Sequence, residues 1–158
     1  MVLFLSVRTL NTLSDLSSML DLPHFSVSMC RKVDKEKPML QKVKNGSIFP
    51  REDGKIIDEH FGVLHSQQDA FSLAHMFAPP AWREPAQLAE FDEVVIVVRG
   101  QLEIEADGEH AVVASGETCM VGKGTRVIYK NASLEEPCEY WSLCMPAFRP
   151  ERTQMESV

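Results

Sequence analysis

Short apolar or alternating runs separated by turn residues begin at about Pro38 and continue almost to the C-terminal end of the chain. Many short strands at close, even spacing are typical of an all-β sandwich or barrel. The pattern predicts strands over residues 40–43, 62–65, 71–77, 93–98, 101–105, 110–114, 118–121, 126–129 and 138–144.

The turns between these strands are better defined in the sequence than the strands themselves. Asp107 and Gly108 lie between two alternating runs, which is the strongest short-range signal of a β-hairpin. Arg99 followed by Gly100 predicts another tight connection one strand earlier. Two prolines follow Ala78, so residues 80–89 are predicted to form a loop at one mouth of the barrel.

A chain of 158 residues suits one domain, because two independent cores of half this size would each be marginal. We predict a single β-barrel over residues 37–148, followed by a C-terminal tail over 149–158. The first 36 residues are predicted to be an extension. Leucines at 10, 13, 16 and 20 recur there at helical spacing, so part of the extension is either a short amphipathic helix or disordered until it packs.

The net charge of -7 is unevenly distributed. Residues 84–139 contain twelve acidic and four basic side chains, so they would repel phosphate backbones and we predict no nucleic-acid partner. Residues 31–55 contain eight basic and four acidic side chains, which we interpret as a solvated face that includes Lys42, Lys44 and Lys55. No apolar run approaches the roughly 20 residues that a membrane-spanning helix needs, so no membrane partner is predicted.

The four cysteines, at 30, 119, 138 and 144, have no CxxC spacing. We interpret them as reduced, small core residues, which favours an intracellular, cytoplasmic location and leaves organellar targeting open.

Glycine spacing across residues 87–131 resembles the two motifs of the cupin superfamily. Glu93 and Gly100 match the second half of the first motif, and Gly116, Gly124 and Asn131 match the second motif. This resemblance implies a double-stranded β-helix, or jelly roll, in which four side chains ordinarily bind a metal ion.

Three of those four ligands are replaced in this chain. The histidine pair falls on Gln87 and Ala89 or on Ala86 and Leu88, depending on the gap, and the last histidine is Val127. One carboxylate cannot make a transition-metal site, which needs three or more ligands. From the protein ligands visible in the sequence, we therefore predict no bound metal and no cofactor.

A narrower resemblance, over residues 70–148, is to the ethanolamine-utilization cupins of the EutQ type, which also lack the histidines. It rests on FDE at 91–93, RGQL at 99–102, ASGE at 114–117, GKGT at 122–125 and MPA at 145–147. It implies a homodimer acting on an acyl phosphate, with acetate-kinase-like transfer between it and Mg-ATP or Mg-ADP.

Alternation along the predicted strands places a sparse set of polar groups inside the barrel. If Glu93 points inward, as its place in the resemblance implies, burial raises its pKa and makes it a candidate general acid or base, or else a structural carboxylate. The predicted ligand-binding residues, for a small organic molecule, are Trp82, Glu84, Gln87, Asp92, Tyr129, Tyr140 and Ser142. Of these, Trp82 either covers the cavity or packs its loop.

Three functional hypotheses follow. The first is an enzyme resembling the ethanolamine-utilization cupins, although the chain has no GxxxxGK[ST] phosphate loop. The second is a non-catalytic, dimeric cupin that binds a small ligand or serves in assembly. The third, a metal-dependent oxygenase or isomerase, is disfavoured by the missing histidines. His75 is interpreted as a core histidine, and a metal pair at His60 and His65 is not expected.

Overall fold

Two antiparallel sheets form the fold in the computed structural model, which describes residues 40–156. Within these residues eleven strands and one 3-10 helix follow in order. They are β1 (Ser47–Phe49), β2 (Ile56–Phe61), β3 (Ser72–Ala78), β4 (Gln87–Ala89), β5 (Asp92–Arg99), β6 (Gln101–Ala106), β7 (Glu109–Ala114), β8 (Thr118–Val121), β9 (Arg126–Asn131), β10 (Cys138–Met145), the 3-10 helix (Pro150–Arg152) and β11 (Thr153–Met155).

The six-stranded sheet has the order β1-β2-β3-β10-β5-β8, and the five-stranded sheet has the order β11-β4-β9-β6-β7. Because β10 lies between β3 and β5, the last long strand closes the centre of the larger sheet. The core lies between the inner faces of the two sheets. The all-β barrel predicted from the sequence is confirmed.

Alternation places the predicted side chains on the inner faces. Along β10, Cys138, Tyr140, Ser142 and Cys144 are all buried. Along β5, valines 95 and 97 are buried, whereas Ile96 and Val98 between and beyond them are exposed. The predicted alternation is confirmed, but the prediction of a cavity floored by valines and cysteines is not: Val95, Val97 and Cys138 pack in the core, and of the described cysteines only Cys144 lines the cavity.

Two turns have the geometry that their residues predict. Asp107 and Gly108 both have positive φ, of 46° and 88°, as a two-residue hairpin loop requires. Gly100 has a φ of 79°, and a Cβ at this position would lie 2.6 Å from the carbonyl oxygen of Pro137. Glycine is therefore needed where β5 leaves one sheet and β6 enters the other.

The first two strands lie outside the predicted ranges 40–43 and 62–65. Residues 62–65 form a turn because the buried Glu59 carboxylate accepts the backbone N–H of Leu64 at 2.7 Å and that of His65 at 2.9 Å. Gly62 has a φ of 149°, and a Cβ there would lie 2.5 Å from the same carboxylate. Strand β2, which precedes this turn, was not predicted because polar residues interrupt its apolar pattern.

Strands β4 and β11 lie in segments that the sequence predicts to be a loop and a C-terminal tail. They pair with each other, Thr153 opposite Ala89, so residues 153–155 extend the five-stranded sheet. Three-residue strands carry too little alternation to be recognised, and these two are held by pairing between distant segments. The predicted extension over residues 1–36, with its helix, lies outside the described residues.

Residues 40–156 contain no helix long and apolar enough to cross a membrane. Cys138 and Cys144 are buried free thiols, as expected, and Cys119 is partly buried. Cys30 lies outside the described part of the chain, and the intracellular location stays a prediction.

Candidate ligand-binding cavity

A cavity of about 220 Å3 lies between the two sheets. Its three exposed lining residues, Arg51, Pro150 and Met155, mark the mouth, and its buried ones mark the interior. Pockets for drug-sized ligands are typically about 300–1,000 Å3. The cavity therefore has room only for a small molecule.

A buried lysine supplies the positive charge of the interior. The ammonium of Lys55, just before β2, lies 3.3 Å from Oε2 of Glu84, and both side chains are 5% exposed. The amide of Gln87 donates to Oε1 of the same carboxylate at 3.1 Å. Arg51 approaches the pair more loosely, at 4.0 Å from Glu84. Lys55, Glu84 and Gln87 thus form a buried chain of donors and acceptors along one wall, with Arg51 at its exposed end.

Aromatic rings surround the Lys55 ammonium on its other sides. The ammonium lies 4.2 Å from the ring centroid of Trp82 and 5.8 Å from that of Tyr140. Burial opposes its charge, but Glu84 and Tyr140 outweigh burial, so the pKa of Lys55 is raised above its ordinary value. Lys55 is therefore positively charged at neutral pH.

A second polar group is centred on Glu93 at the start of β5. Tyr129 donates its hydroxyl to Oε2 at 2.9 Å, and Ser142 donates to Oε1 at 2.5 Å. Burial raises the pKa of Glu93 above its ordinary range, against the hydrogen bond from Ser142, which lowers it. Burial and the Glu93 carboxylate also raise the pKa of Tyr129. The Glu93 carboxylate can therefore hold a proton, or accept one, inside the cavity.

Phenylalanines form the apolar wall. The Phe49 and Phe148 rings meet edge to face with centroids 5.4 Å apart, and Phe91 contacts Phe148 at 6.0 Å. All three side chains line the cavity. The interior therefore has one wall of charged and hydroxyl groups and another of aromatic rings. This arrangement suits a ligand with a planar apolar part and a separate polar part.

Six of the eight predicted site residues meet in this cavity. Glu84, Gln87, Glu93, Tyr129, Tyr140 and Ser142 all line it. Glu84 was expected at the mouth, whereas it is buried in the interior.

Two predicted ligand-binding residues do not line the cavity. Trp82 packs in the core behind Lys55 and donates its indole N–H to Asp53 at 2.9 Å, so it packs its loop rather than covering the opening. Asp92 starts β5 on the side facing away, and its carboxylate accepts the backbone N–H of Lys123 at 2.9 Å. The alternation of β5 that brings Glu93 inward sends Asp92 outward.

Sequence reasoning missed Lys55, which was interpreted as part of a solvated face. It also missed Arg51, Phe49 and Phe148, which line the cavity, and Thr153, which comes from the supposed tail. The nearest signal for Lys55 is Ile57 and Glu59, which alternate with it toward the interior. That signal is too short to separate a buried lysine from an exposed one.

The positions of the missing cupin ligands can now be assigned. Gln87 lines the cavity and Leu88 is exposed, so the absent histidine pair corresponds to Gln87 and Ala89. Val127, opposite Gln87 in the β4–β9 pair, is buried in the core. No three His, Cys, Asp or Glu side chains within residues 40–156 are grouped so as to hold a metal ion.

The histidines lie outside the cavity. His75 was expected in the core, but it lies on the outer face of β3, because Ser72 and Ala74 take the inner positions, and its Nε2 is 2.8 Å from Glu139. His60 lies 3.3 Å from Asp58. His65 shares a 3.0 Å hydrogen bond with the Ser47 hydroxyl.

No model of a known protein family matches the chain. A protein of Myxococcus xanthus named endoribonuclease YbeY is 47% identical over 116 residues, which are 73% of this chain. The chain spans 39% of that relative's length.

Solved structures show the fold. The cupin domain of Schizosaccharomyces pombe Cnp3 matches 63% of this chain and 68% of its own, with a TM-score of 0.54 and 11% identity. Streptomyces PAC13 in a structure with uridine matches 77% of this chain and 92% of its own, with a TM-score of 0.60 and 15% identity. The described chain has the cupin fold.

The expected ethanolamine-utilization function, with its acetate-kinase-like chemistry, is wrong. A putative EutQ from Salmonella typhimurium does share the fold, with a TM-score of 0.52 over 63% of this chain and 80% of its own. At 19% identity, that likeness extends to the fold alone. The 47% identical relative carries an endoribonuclease name instead.

Proposed function

We propose that the barrel binds a small nucleoside-like ligand, represented by uridine, in the cavity between its sheets and without a metal ion. The observation that carries this proposal is the division of the cavity into a charged wall, Lys55 with Glu84 and Gln87, and a wall of phenylalanine rings. A nucleoside has the same two kinds of surface, since the faces of its base are planar and apolar, whereas the edge of the base and the sugar are polar.

The polar groups match a pyrimidine nucleoside in kind. Uracil presents carbonyl acceptors and an N–H donor, and ribose hydroxyls both donate and accept. Lys55 supplies donors, while Glu84 and Glu93 supply acceptors. The phenylalanines supply apolar faces against which a planar base can pack. Binding is selective when every polar group that the ligand and the protein bury together finds a hydrogen-bond partner.

Both comparisons support a ligand of this class. PAC13, which shares the fold, has been solved with uridine, and the 47% identical relative is named for an enzyme of RNA. The cavity of about 220 Å3 suits a single nucleoside better than an RNA chain. The net charge of -7 also disfavours a long polyanion.

Calorimetric titration of the full chain with uridine, and separately with adenosine, tests the proposal. We expect uridine to bind and adenosine to bind more weakly, since a purine base is larger than a pyrimidine base and the cavity is small. Ser142→Ala removes the hydroxyl that holds the Glu93 carboxylate in place in the cavity, and displacing this acceptor should weaken uridine binding by roughly fivefold to tenfold, the effect of about one hydrogen bond. Ser115→Ala is the matched control, because Ser115 is exposed and bonds only the Val98 carbonyl.

Failure of uridine and of uridine 5′-monophosphate to bind at millimolar concentration would contradict the proposal. Equal losses in the two serine variants would also contradict it, because they would place the binding site elsewhere.

A second candidate is endoribonuclease activity of this chain itself, which the name of the 47% identical relative favours. Glu93 is the described acid–base group that would serve it, with Lys55 to stabilise the developing charge. Incubation of wild type and Glu93→Gln with a uridine-rich single-stranded RNA decides this. Cleavage by wild type that is lost in the variant would establish it, and intact RNA in both would exclude it.

A further inference from the structure

Gln87 is the only carboxamide that lines the cavity in the described part of the chain. It is the first residue of β4, it is 8% exposed, and it lies opposite Val127 in one neighbouring strand and Met155 in the other. A carboxamide has an acceptor and a donor side by side in one plane. It can therefore form two hydrogen bonds at once with a planar group that has the complementary pair.

The orientation of this amide is fixed by Glu84. Nε2 of Gln87 donates to Oε1 of Glu84 at 3.1 Å, and Oε2 of the same carboxylate lies 3.3 Å from the Lys55 ammonium. A carboxylate held by an ammonium accepts hydrogen bonds and donates none. If the amide turned over, its oxygen would face the carboxylate oxygen and be repelled. Glu84 and Lys55 are thus positioning residues for the Gln87 amide.

Half of the amide is left for a ligand. Within residues 40–156, the Gln87 side chain makes no hydrogen bond besides the one to Glu84, so its oxygen and one N–H are unpaired. The fully buried side-chain atoms without a partner in this part of the chain are Oδ1 of Asp58, Oε1 of Gln68 and Oγ1 of Thr153. The Gln87 oxygen is not one of them, so it is reachable from the cavity that its side chain lines.

Hydroxyl groups of the cavity do not provide the same selectivity. Tyr129 and Ser142 both donate to Glu93. A hydroxyl also turns about its C–O bond, so it donates or accepts as the ligand requires. The fixed amide of Gln87 accepts on one side and donates on the other, and it therefore distinguishes ligands by the order of their donors and acceptors.

Gln87 lies close to the aromatic wall. Ala89, the next buried residue of β4, packs with Phe91, and Phe148 packs against the same cluster. Alternate residues of a strand are about 7 Å apart. A planar base that lies against the phenylalanine rings can therefore turn its polar edge toward Gln87.

We propose that Gln87 recognises the imide edge of a pyrimidine base, where an N–H lies beside a carbonyl oxygen, as in uracil. The amide oxygen accepts the imide N–H, and the unpaired amide N–H donates to the carbonyl oxygen. Cytosine presents the reverse order, a ring nitrogen acceptor beside an amino donor, so the fixed amide disfavours it. This inference rests on the proposed function, since binding of uridine in this cavity is its premise.

Calorimetric titration of the full chain with uridine, 3-methyluridine and cytidine tests the inference on wild type itself. The methyl group of 3-methyluridine replaces the imide hydrogen and leaves the rest of the nucleoside unchanged. We expect uridine to bind about tenfold or more tightly than either of the other two, as two paired hydrogen bonds of this kind provide.

Gln87→Met keeps nearly the same side-chain shape and removes the amide. It should lower the affinity for uridine about tenfold and leave the affinity for 3-methyluridine nearly unchanged, so that the two become similar. Gln154→Met is the matched control, because Gln154 is exposed on β11, the strand that pairs with β4, and does not line the cavity. This control should bind both nucleosides as wild type does. Circular dichroism and the melting temperature show whether each variant folds.

The double variant Lys55→Met with Glu84→Gln tests the fixed orientation of the amide. Without the carboxylate, the Gln87 amide can turn over and pair with either base. The ratio of uridine affinity to cytidine affinity should therefore fall toward one, whatever the two affinities are. A ratio equal to that of wild type would overturn the positioning role of Glu84.

Wild type that binds uridine and 3-methyluridine equally would overturn the inference and leave the proposed function standing. So would equal losses of both ligands in Gln87→Met, because Gln87 would then only shape the cavity. A preference for uridine over 3-methyluridine that survives in Gln87→Met would overturn it as well, since another group would read the edge. Wild type that binds no uridine would overturn the proposed function and this inference with it.

Discussion

At the scale of single residues, Lys55 determines the character of the cavity. Its ammonium is enclosed by Glu84 and by the rings of Trp82 and Tyr140, and at 5% exposure its charge is screened little by solvent. A cation held in this way attracts electronegative ligand atoms more strongly than an exposed lysine would. The barrel thus presents a fixed organic cation to its occupant.

The sequence could not reveal this role of Lys55. The residue stands in a stretch rich in both lysine and acids, which ordinarily forms a solvated surface. Its burial depends on Glu84, which lies 29 residues further along the chain. Glu93, Tyr129, Tyr140 and Ser142 were predictable because strand alternation alone places them inside.

Lys55→Met should destabilise the protein by about 3–5 kcal/mol, because it leaves the buried Glu84 carboxylate without its ammonium partner. The double variant Lys55→Met with Glu84→Gln should recover most of that loss, since neither charge is then buried alone. Urea unfolding followed by circular dichroism measures both. Lys44→Met, at an exposed lysine, is the control and should have little effect. Additive losses in the double variant would show that the pair is not coupled.

Glu93 predicts a pH dependence of stability. Its pKa in the folded protein is raised above 4.5, so the folded state holds its proton more tightly than the unfolded state. Wild type therefore loses stability as pH rises from about 4.5 through the folded pKa. Glu93→Gln lacks this group, so its melting temperature relative to wild type should rise over the same interval. Parallel melting curves for both proteins between pH 4.5 and pH 8 would contradict this assignment.

At the scale of strands, predictability followed alternation more than length, since the six-residue β2 was missed because of its polar content and the four-residue β8 was recognised. β5, β6, β7, β9 and β10 have six to eight residues each and were recognised, as were the turns at Gly100 and Gly108. β4 and β11 have three residues each and were missed, because pairing between distant segments rather than local pattern creates them. Since Gln87 and Thr153 belong to these strands, part of the cavity wall was hidden with them.

The C-terminal strand is held over the cavity mouth by exposed ion pairs. Arg152 binds Asp69 through two nitrogens, at 2.7 and 2.8 Å, and Arg149 binds it at 3.0 Å. Met155 and Pro150 of this segment line the cavity. Asp69 lies before β3, so a single carboxylate ties the end of the chain to the larger sheet.

Asp69→Asn should loosen this segment and speed both entry and release of uridine, because the carboxylate charge that both arginines share is lost. Hydrogen exchange of the amides in β11 should become faster in the variant, and stopped-flow binding should show larger rate constants. Glu135→Gln, at an exposed acid in the loop before β10, is the control. Unchanged exchange in β11 would show that strand pairing with β4 is sufficient to hold the segment.

At the scale of the whole molecule, glycine spacing identified the fold and misidentified the function. Gly100, Gly116 and Gly124 all have positive φ at tight turns, which any cupin needs whatever it binds. A resemblance built on such turns reports backbone geometry. The side chains that line the cavity, here Lys55 and Gln87, determine its chemistry.

The polar groups of the cavity are already paired with one another, Lys55 with Glu84 and Glu93 with Tyr129 and Ser142. The protein therefore does not need an occupant in order to fold, unlike domains that assemble around a structural metal. An occupant that is not needed for folding is exchanged with the surroundings, and the filled fraction of the barrel follows the free concentration of its ligand. Under the proposed function, such a barrel would register the supply of its ligand rather than store it.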